Sequence, residues 1–227
     1  MPETPDNRTG YPSAVLWDMD GTLVDTEPSW IRARADLAAE YNVPWSDADA
    51  AFFVGKPLPL SAAEMRSRGV PLAEPDLIDR LVHQVLDDIR DRIPWRPGAQ
   101  ELLARLAHAR IPCALVTQAF RPVAEFIAES AGPGAFFKVV AGDDVTQGKP
   151  HPEPYLTAAA LLGIRPGDCL AIEDTDTGAA SAVAAGMTVL VIPHLGAVPG
   201  GPSRSTRETL AGITVDDLRS LQPVKRR

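Results

Sequence analysis

The segment LWDMDGTLVDTEPSW, residues 16 to 30, runs an apolar stretch straight into Asp18 and Asp20. Residues two apart at a strand end project the same way. Two carboxylates about 4 Å apart repel by on the order of 4 kcal/mol at an effective dielectric near 20. Local structure does not require such a repulsion, whereas a divalent cation relieves it. No histidine or cysteine spacing accompanies the pair, so an oxygen-only site suited to magnesium rather than zinc is expected. Further acids, Glu173 and Asp174, close the run CLAIED before a TDTG turn. Thr117 ends ALVTQ, where its hydroxyl and the following amides could hold an anionic oxygen. Lys149 stands in QGKPHPEPY, a turn stiffened by prolines that would aim a cation inward. Singly, these are capping acids, a capping threonine and a solvated lysine. Jointly they read as a nucleophile, metal ligands, a hydroxyl and a cation gathered at the ends of core strands.

The elements that must position them are short apolar runs: AVLWD (14 to 18), PCALVT (112 to 117), FKVVA (137 to 141), DCLAIE (168 to 173) and MTVLVI (187 to 192). They are apolar on both faces, as strands covered by helices must be. Helical patterns separate the later ones: Ala99, Leu102, Leu103 and Leu106; Val123, Phe126 and Ile127; Leu156, Ala159 and Leu162 before Gly163; and an alanine-rich stretch that stops at Gly186. Alternation of this kind predicts an α/β fold, a doubly wound parallel sheet of Rossmann-like type.

Roughly 70 residues between the first two strands are too many for one crossover, and they read as helical. Trp30, Ala33, Leu37 and Tyr41 share one face, Ser61 to Glu64 reads as a capping box with Gly69 as a stop, and Leu77, Leu81, Val85 and Ile89 mark another face. Proline-bearing joints, TEP at 26 to 28 and IPWRPG at 93 to 98, flank the segment. An inserted all-helical cap is therefore expected over the carboxyl edge of the sheet, where α/β proteins bind ligands. The expected division is a core of 12–27 and 96–221, a cap of 28–95, and tails of 1–11 and 222–227.

Lysine and arginine total 22 against 30 acids, a formal charge of −8. That balance argues against nucleic acid as a partner but not against a small phosphorylated ligand. Cys113 and Cys169 lie in apolar runs and read as packing residues of a reducing compartment. The start carries no basic-then-apolar leader and no run approaches a membrane span, so a cytoplasmic protein is expected, by default a monomer. The basic VKRR end reads as a solvated tail.

DMDGT (18 to 22), Thr117 after a strand, Lys149 in GKPHPEPY and EDTDTG (173 to 178) resemble, in order and spacing, the four motifs of the haloacid dehalogenase-like hydrolase superfamily. The likeness covers about residues 12 to 195. DTEP, the helical insertion and AVAAGM (182 to 187) look like its phosphoglucomutase-like and phosphoglycolate-phosphatase-like branch. The resemblance implies that Asp18 attacks phosphorus to give an aspartyl-phosphate, and that Asp20 protonates the leaving oxygen and then activates water. It also implies magnesium held by Asp18, Asp174 and the carbonyl of Asp20, with Glu173 directly or through water. Thr117 and Lys149 would stabilise phosphoryl oxygens. Gly21 would permit a sharp exit, and Thr22 would stabilise a turn.

Gln118 follows Thr117 where this branch more often has asparagine, so it is expected to contact substrate differently. A sugar-phosphate mutase of the branch carries a histidine in the helix after DTE, where this chain has Trp30, and KPLPL supplies no arginine for a second phosphate. Hydrolysis of a small phosphate ester is thus favoured over mutase chemistry. A phospho-accepting signalling module needs no roof, so the insertion argues against it; a non-catalytic metal-binding module is the other rival. Lys56 is the expected roof contact to substrate. Trp30, Trp45, Phe52 and Phe53 read as core aromatics or roof lining, and 193 to 205 as a connecting loop.

Overall fold

A computed structural model describes residues 10–54 and 56–221; most of both expected tails, including the VKRR end, lies outside the described residues. Among the described residues, six strands form one parallel sheet in the order β3-β2-β1-β4-β5-β6. They are β1 Ala14–Trp17, β2 Cys113–Val116, β3 Lys138–Val140, β4 Cys169–Glu173, β5 Thr188–Val191 and β6 Arg204–Thr206. β1 lies between β2 and β4, with Trp17 opposite both Leu115 and Ile172. The chain winds to one side of β1 through β2 and β3 and to the other through β4, β5 and β6, so the crevice for a ligand opens at the carboxyl ends of β1 and its neighbours.

The period of two sorts each central strand between two cores. Val15, Trp17, Leu115, Leu170 and Ile172 face one side, where α5 (Ala99–His108), α6 (Arg121–Ser130) and α9 (Val215–Leu221) supply Leu102, Leu103, Leu106, Val123, Ile127 and Leu218. Ala14, Leu16, Ala114, Val116 and Ala171 face the other, against α7 (Glu153–Leu162) and α8 (Asp176–Ala184), which bring Tyr155, Ala158, Ala159, Ala179 and Ala182. Both cysteines are buried in strands beneath this packing, as expected from their apolar contexts.

Between β1 and β2 the chain inserts α1 (Glu27–Glu40), α2 (Asp47–Phe52), α3 (Leu58–Ser67) and α4 (Glu74–Ile89). Leu77, Leu81, Val85 and Ile89 form the buried stripe of α4 and join Trp30, Ala33 and Leu37 of α1 in a hydrophobic cluster continuous with one face of the sheet. Two joints tie the insertion back: the Asp25 amide donates to the Pro94 carbonyl at 2.8 Å, and the Arg96 amide to the Leu23 carbonyl at 3.0 Å. Among the described residues no helix is long and apolar enough to cross a membrane.

Four expectations are corrected. Ser61 does not open a helix: α3 begins at Leu58 after Pro57, and the Ser61 hydroxyl donates back to the Leu58 carbonyl inside the helix. A proline near a helix start outranks an internal serine-to-glutamate spacing. Leu156 is 41% exposed while Tyr155 and Ala158 are buried, because the sheet surface beneath α7 is met by that neighbouring face of the helix. β3 is an edge strand with Lys138 exposed, not covered on both faces. The stretch 193 to 205 is not wholly connective, since Arg204–Thr206 pairs with β5 as the sixth strand.

Gly98 makes the turn into α5 at φ 84°, where a Cβ would meet the Leu210 carbonyl carbon at 2.2 Å. Gly98→Ala should therefore lose about 2 kcal/mol of stability, and a thermal melt should show a midpoint lowered by roughly 5 °C.

Candidate active site

β1 and β4 end side by side, and their registry is closed by the Asp18 amide donating to the Ile172 carbonyl at 3.0 Å. Asp18 thus stands beside Glu173 and Asp174, and carboxylate oxygens of all three lie within 4.8 Å of one another. Lys149 enters this acidic centre from the loop between β3 and α7. Its Nζ donates to Asp18 Oδ1 at 2.6 Å, to Glu173 Oε1 at 2.6 Å and to the Val116 carbonyl at 3.0 Å. The lysine is 6% exposed.

Burial at this density shifts the ionisation of Asp18, Asp174 and Lys149. Burial and then the Glu173 carboxylate push Asp18 above the ordinary carboxylate range, although Lys149 opposes them. Asp174 is raised by burial and by the charges of Asp18 and Glu173. For Lys149, burial favours the neutral amine, but Asp18 and Glu173 together outweigh it and hold the ammonium above its usual value. Three carboxylates face one ammonium, and Asp18 Oδ2 is buried without a hydrogen-bond partner among the described residues. An orphaned carboxyl oxygen among other carboxylate oxygens, with no imidazole or thiolate in the group, is a donor set that fits a hard divalent cation.

The Asp20 side chain is not in that group. Its Oδ1 accepts from the Thr26 hydroxyl and from Trp30 Nε1 at 3.0 Å, and its Oδ2 from the Thr117 hydroxyl at 3.2 Å. Its side-chain oxygens are met by three neutral donors. The chain leaves Asp20 through Gly21 at φ 87°, where a Cβ would sit 2.0 Å from Asp174 Oδ2. Thr22, read as stabilising its own turn, directs its hydroxyl to Asp174 Oδ1 at 3.5 Å.

Thr117 follows β2 as expected, yet its hydroxyl is not open: it donates to Asp20 and accepts from the Ala119 amide at 3.0 Å. Gln118 and Lys56 line a small cavity with Asp20, Glu27, Trp30, Arg34, Leu58 and Ala119. The Lys56 ammonium lies over the Phe52 ring, 2.9 Å from its centroid. Trp45 and Phe53 stack on each other with centroids 5.6 Å apart and do not line this cavity.

Several residues at the site were not singled out for it from sequence. Tyr155, fully buried on α7, donates to Glu173 Oε1 at 2.6 Å and presents its ring to the Lys149 ammonium at 5.2 Å. Thr26, Glu27 and Arg34 join Trp30 around Asp20, and His194 pairs with Asp25 at 2.9 Å beside the joint to the insertion. A signal did exist for one set: Glu27, Trp30 and Arg34 are spaced at i, i+3 and i+7, one helical face.

Several known proteins are similar to this chain. Hexitol phosphatase A of Escherichia coli strain K12 is 35% identical over 180 residues, 78% of this chain and 81% of that protein. Validoxylamine A 7'-phosphate phosphatase of Streptomyces hygroscopicus subsp. limoneus is 33% identical over 178 residues, 76% and 81% of the two chains. The crystal structure of CbbY from Rhodobacter sphaeroides in complex with phosphate is similar with a TM-score of 0.79 at 25% identity, covering 88% of this chain and 95% of that one. The sequence profile of the haloacid dehalogenase-like hydrolases matches residues 12–186, a span that holds both acid-bearing strand ends, Thr117 and Lys149, and the chain belongs to that family.

Proposed function

We propose that this protein is a magnesium-dependent phosphatase that hydrolyses small phosphomonoesters of sugars and related polyols through an aspartyl-phosphate on Asp18. The observation that carries the reading is the state of the Asp18 carboxylate: Oδ1 is held by Lys149, and Oδ2 is buried and without a hydrogen-bond partner among the described residues. Family membership and the phosphatase names of its relatives support the reaction class, and the relatives' names support a hydroxylated leaving group.

In this mechanism Asp18 Oδ2 attacks phosphorus, and the alcohol leaves with a proton from Asp20. Asp20 then takes a proton from the water that attacks the phosphorus of the acyl phosphate, which releases inorganic phosphate and restores the Asp18 carboxylate. Thr26, Trp30 and Thr117 fix the Asp20 carboxyl for both transfers. Lys149 offsets charge on Asp18 and is itself steadied by Glu173 and Tyr155. Asp18 and Asp174, with Glu173 beside them, would hold magnesium, which supplies the positive charge that lets an anionic nucleophile meet an anionic ester. Glu173 already accepts from Lys149, Tyr155 and Thr175, so its share of the metal is the smaller one. Residues 12–27 and 96–221 would form the catalytic core and 28–95 the cap that closes over the ester. Phosphoryl transfer between two sugar hydroxyls is disfavoured, since Trp30 stands where a mutase of the branch has histidine and is committed to Asp20.

Asp18→Asn should reduce release of phosphate from an aryl phosphate in magnesium by about three orders of magnitude or more, with an unchanged circular dichroism spectrum; substantial residual turnover removes the covalent route. Trp30→Phe keeps the ring but deletes the donor to Asp20, and kcat should fall about tenfold for a lost hydrogen bond to a charged group. Asp174→Asn has two opposed effects. A carboxyl whose folded pKa lies above its unfolded value loses folding stability as pH rises through that interval. In metal-free protein at pH 8 the variant should therefore be more stable than wild type by on the order of 1 kcal/mol. Added magnesium should raise the wild-type melting temperature and leave that of the variant almost unmoved.

A further inference from the structure

The cavity beside Asp20 contains an ion pair that the reaction steps leave unused. Glu27, Trp30 and Arg34 project from one face of α1, and they are 5%, 3% and 3% exposed. Arg34 Nη1 stands 3.5 Å from Glu27 Oε1, a long contact for a buried pair, and Arg34 Nε has no hydrogen-bond partner among the described residues. The guanidinium lies over the Trp30 ring at 5.9 Å, and Trp30 in turn holds Asp20. A buried guanidinium with an idle donor is costly unless something else completes its bonding. Here the Arg34 and Glu27 side chains line the same small space next to the side chain assigned to protonate the leaving oxygen.

We propose that Arg34 and Glu27 form the leaving-group subsite and select phosphate esters of uncharged polyols over esters whose leaving group carries a carboxylate or a second phosphate. The inference rests on the phosphatase reading above. The argument is one of matching. A hydroxyl both accepts and donates, so one hydroxyl, or two neighbouring ones, can take a bond from the Arg34 guanidinium and give one to Glu27 together. An anionic group could accept from Arg34 only by lying against Glu27, whose charge already faces the guanidinium. Lys56, the other cation of the cavity, is turned onto Phe52. Asp20 and Glu27 balance Arg34 and Lys56 in formal charge, so the cavity carries no surplus cation for a second anion.

The test compares kcat/KM of full-length protein with magnesium on sorbitol 6-phosphate, phosphoglycolate and p-nitrophenyl phosphate. Wild type should prefer the sorbitol ester to phosphoglycolate by at least tenfold. In the double variant Arg34→Met/Glu27→Gln, the ratio of sorbitol ester to aryl ester should fall at least tenfold, mainly through KM for the sorbitol ester. Should the double variant not fold, Glu27→Gln alone decides, with a fall in the same ratio of at least threefold. An unchanged ratio, or a wild-type preference for phosphoglycolate, overturns the subsite while leaving the phosphatase intact. Absence of hydrolysis of any of the three esters by wild type overturns both.

Discussion

The buried ammonium of Lys149, pinned between Asp18 and Glu173, is the interaction on which the site depends. Breaking such a pair leaves an uncompensated charge in a region closed to water, which is far more costly than a surface ion pair is worth. It also sets the deficit that defines the chemistry, because a single ammonium faces the carboxylates of Asp18, Glu173 and Asp174. The parallel sheet exists in a form that makes this possible. Only adjacent strands with ends in register bring residues 18 and 173 together across so much sequence, and the two apolar cores above and below hold that register.

The second acid obeys a different logic. Asp20 is clasped by Thr26 and Trp30, which begin the insertion, and by Thr117, which ends β2. The proposed proton carrier is therefore positioned jointly by the sheet and by the first inserted helix. Because α1 also carries Glu27 and Arg34 on that face, the element that orients the proton carrier also lines the cavity beside it. The hydrophobic cluster that runs from α4 and α1 to the sheet gives this helix a fixed seat.

Much of this was legible in residue order because its signals are local. Five of the six strands follow from runs of apolar residues, and Asp18, Thr117 and Asp174 follow from lying one residue beyond the end of such a run. What stayed hidden depends on contacts between distant segments. Tyr155 looks like an ordinary core aromatic until α7 is docked and its hydroxyl meets Glu173. Arg34 looks like a surface charge until α1 is turned toward the sheet. β6 escaped notice because three polar residues after a glycine- and proline-rich stretch carry no alternation, and parallel pairing with β5 alone makes them a strand. The donors around the Asp20 side chain were hidden for a related reason: spacing places two acids close, but only the surrounding groups decide where each charge is met.

The central claim is that Asp18 Oδ2, idle in the folded protein, receives a phosphoryl group during turnover. The most direct measurement is to quench the enzyme in steady state with acid, reduce it with borohydride, and map the peptides by mass spectrometry. An aspartyl-phosphate is reduced to homoserine, so the account predicts homoserine at position 18 and at no other acid. Homoserine at position 20, or no modified residue in protein quenched while phosphate is being released, would contradict it.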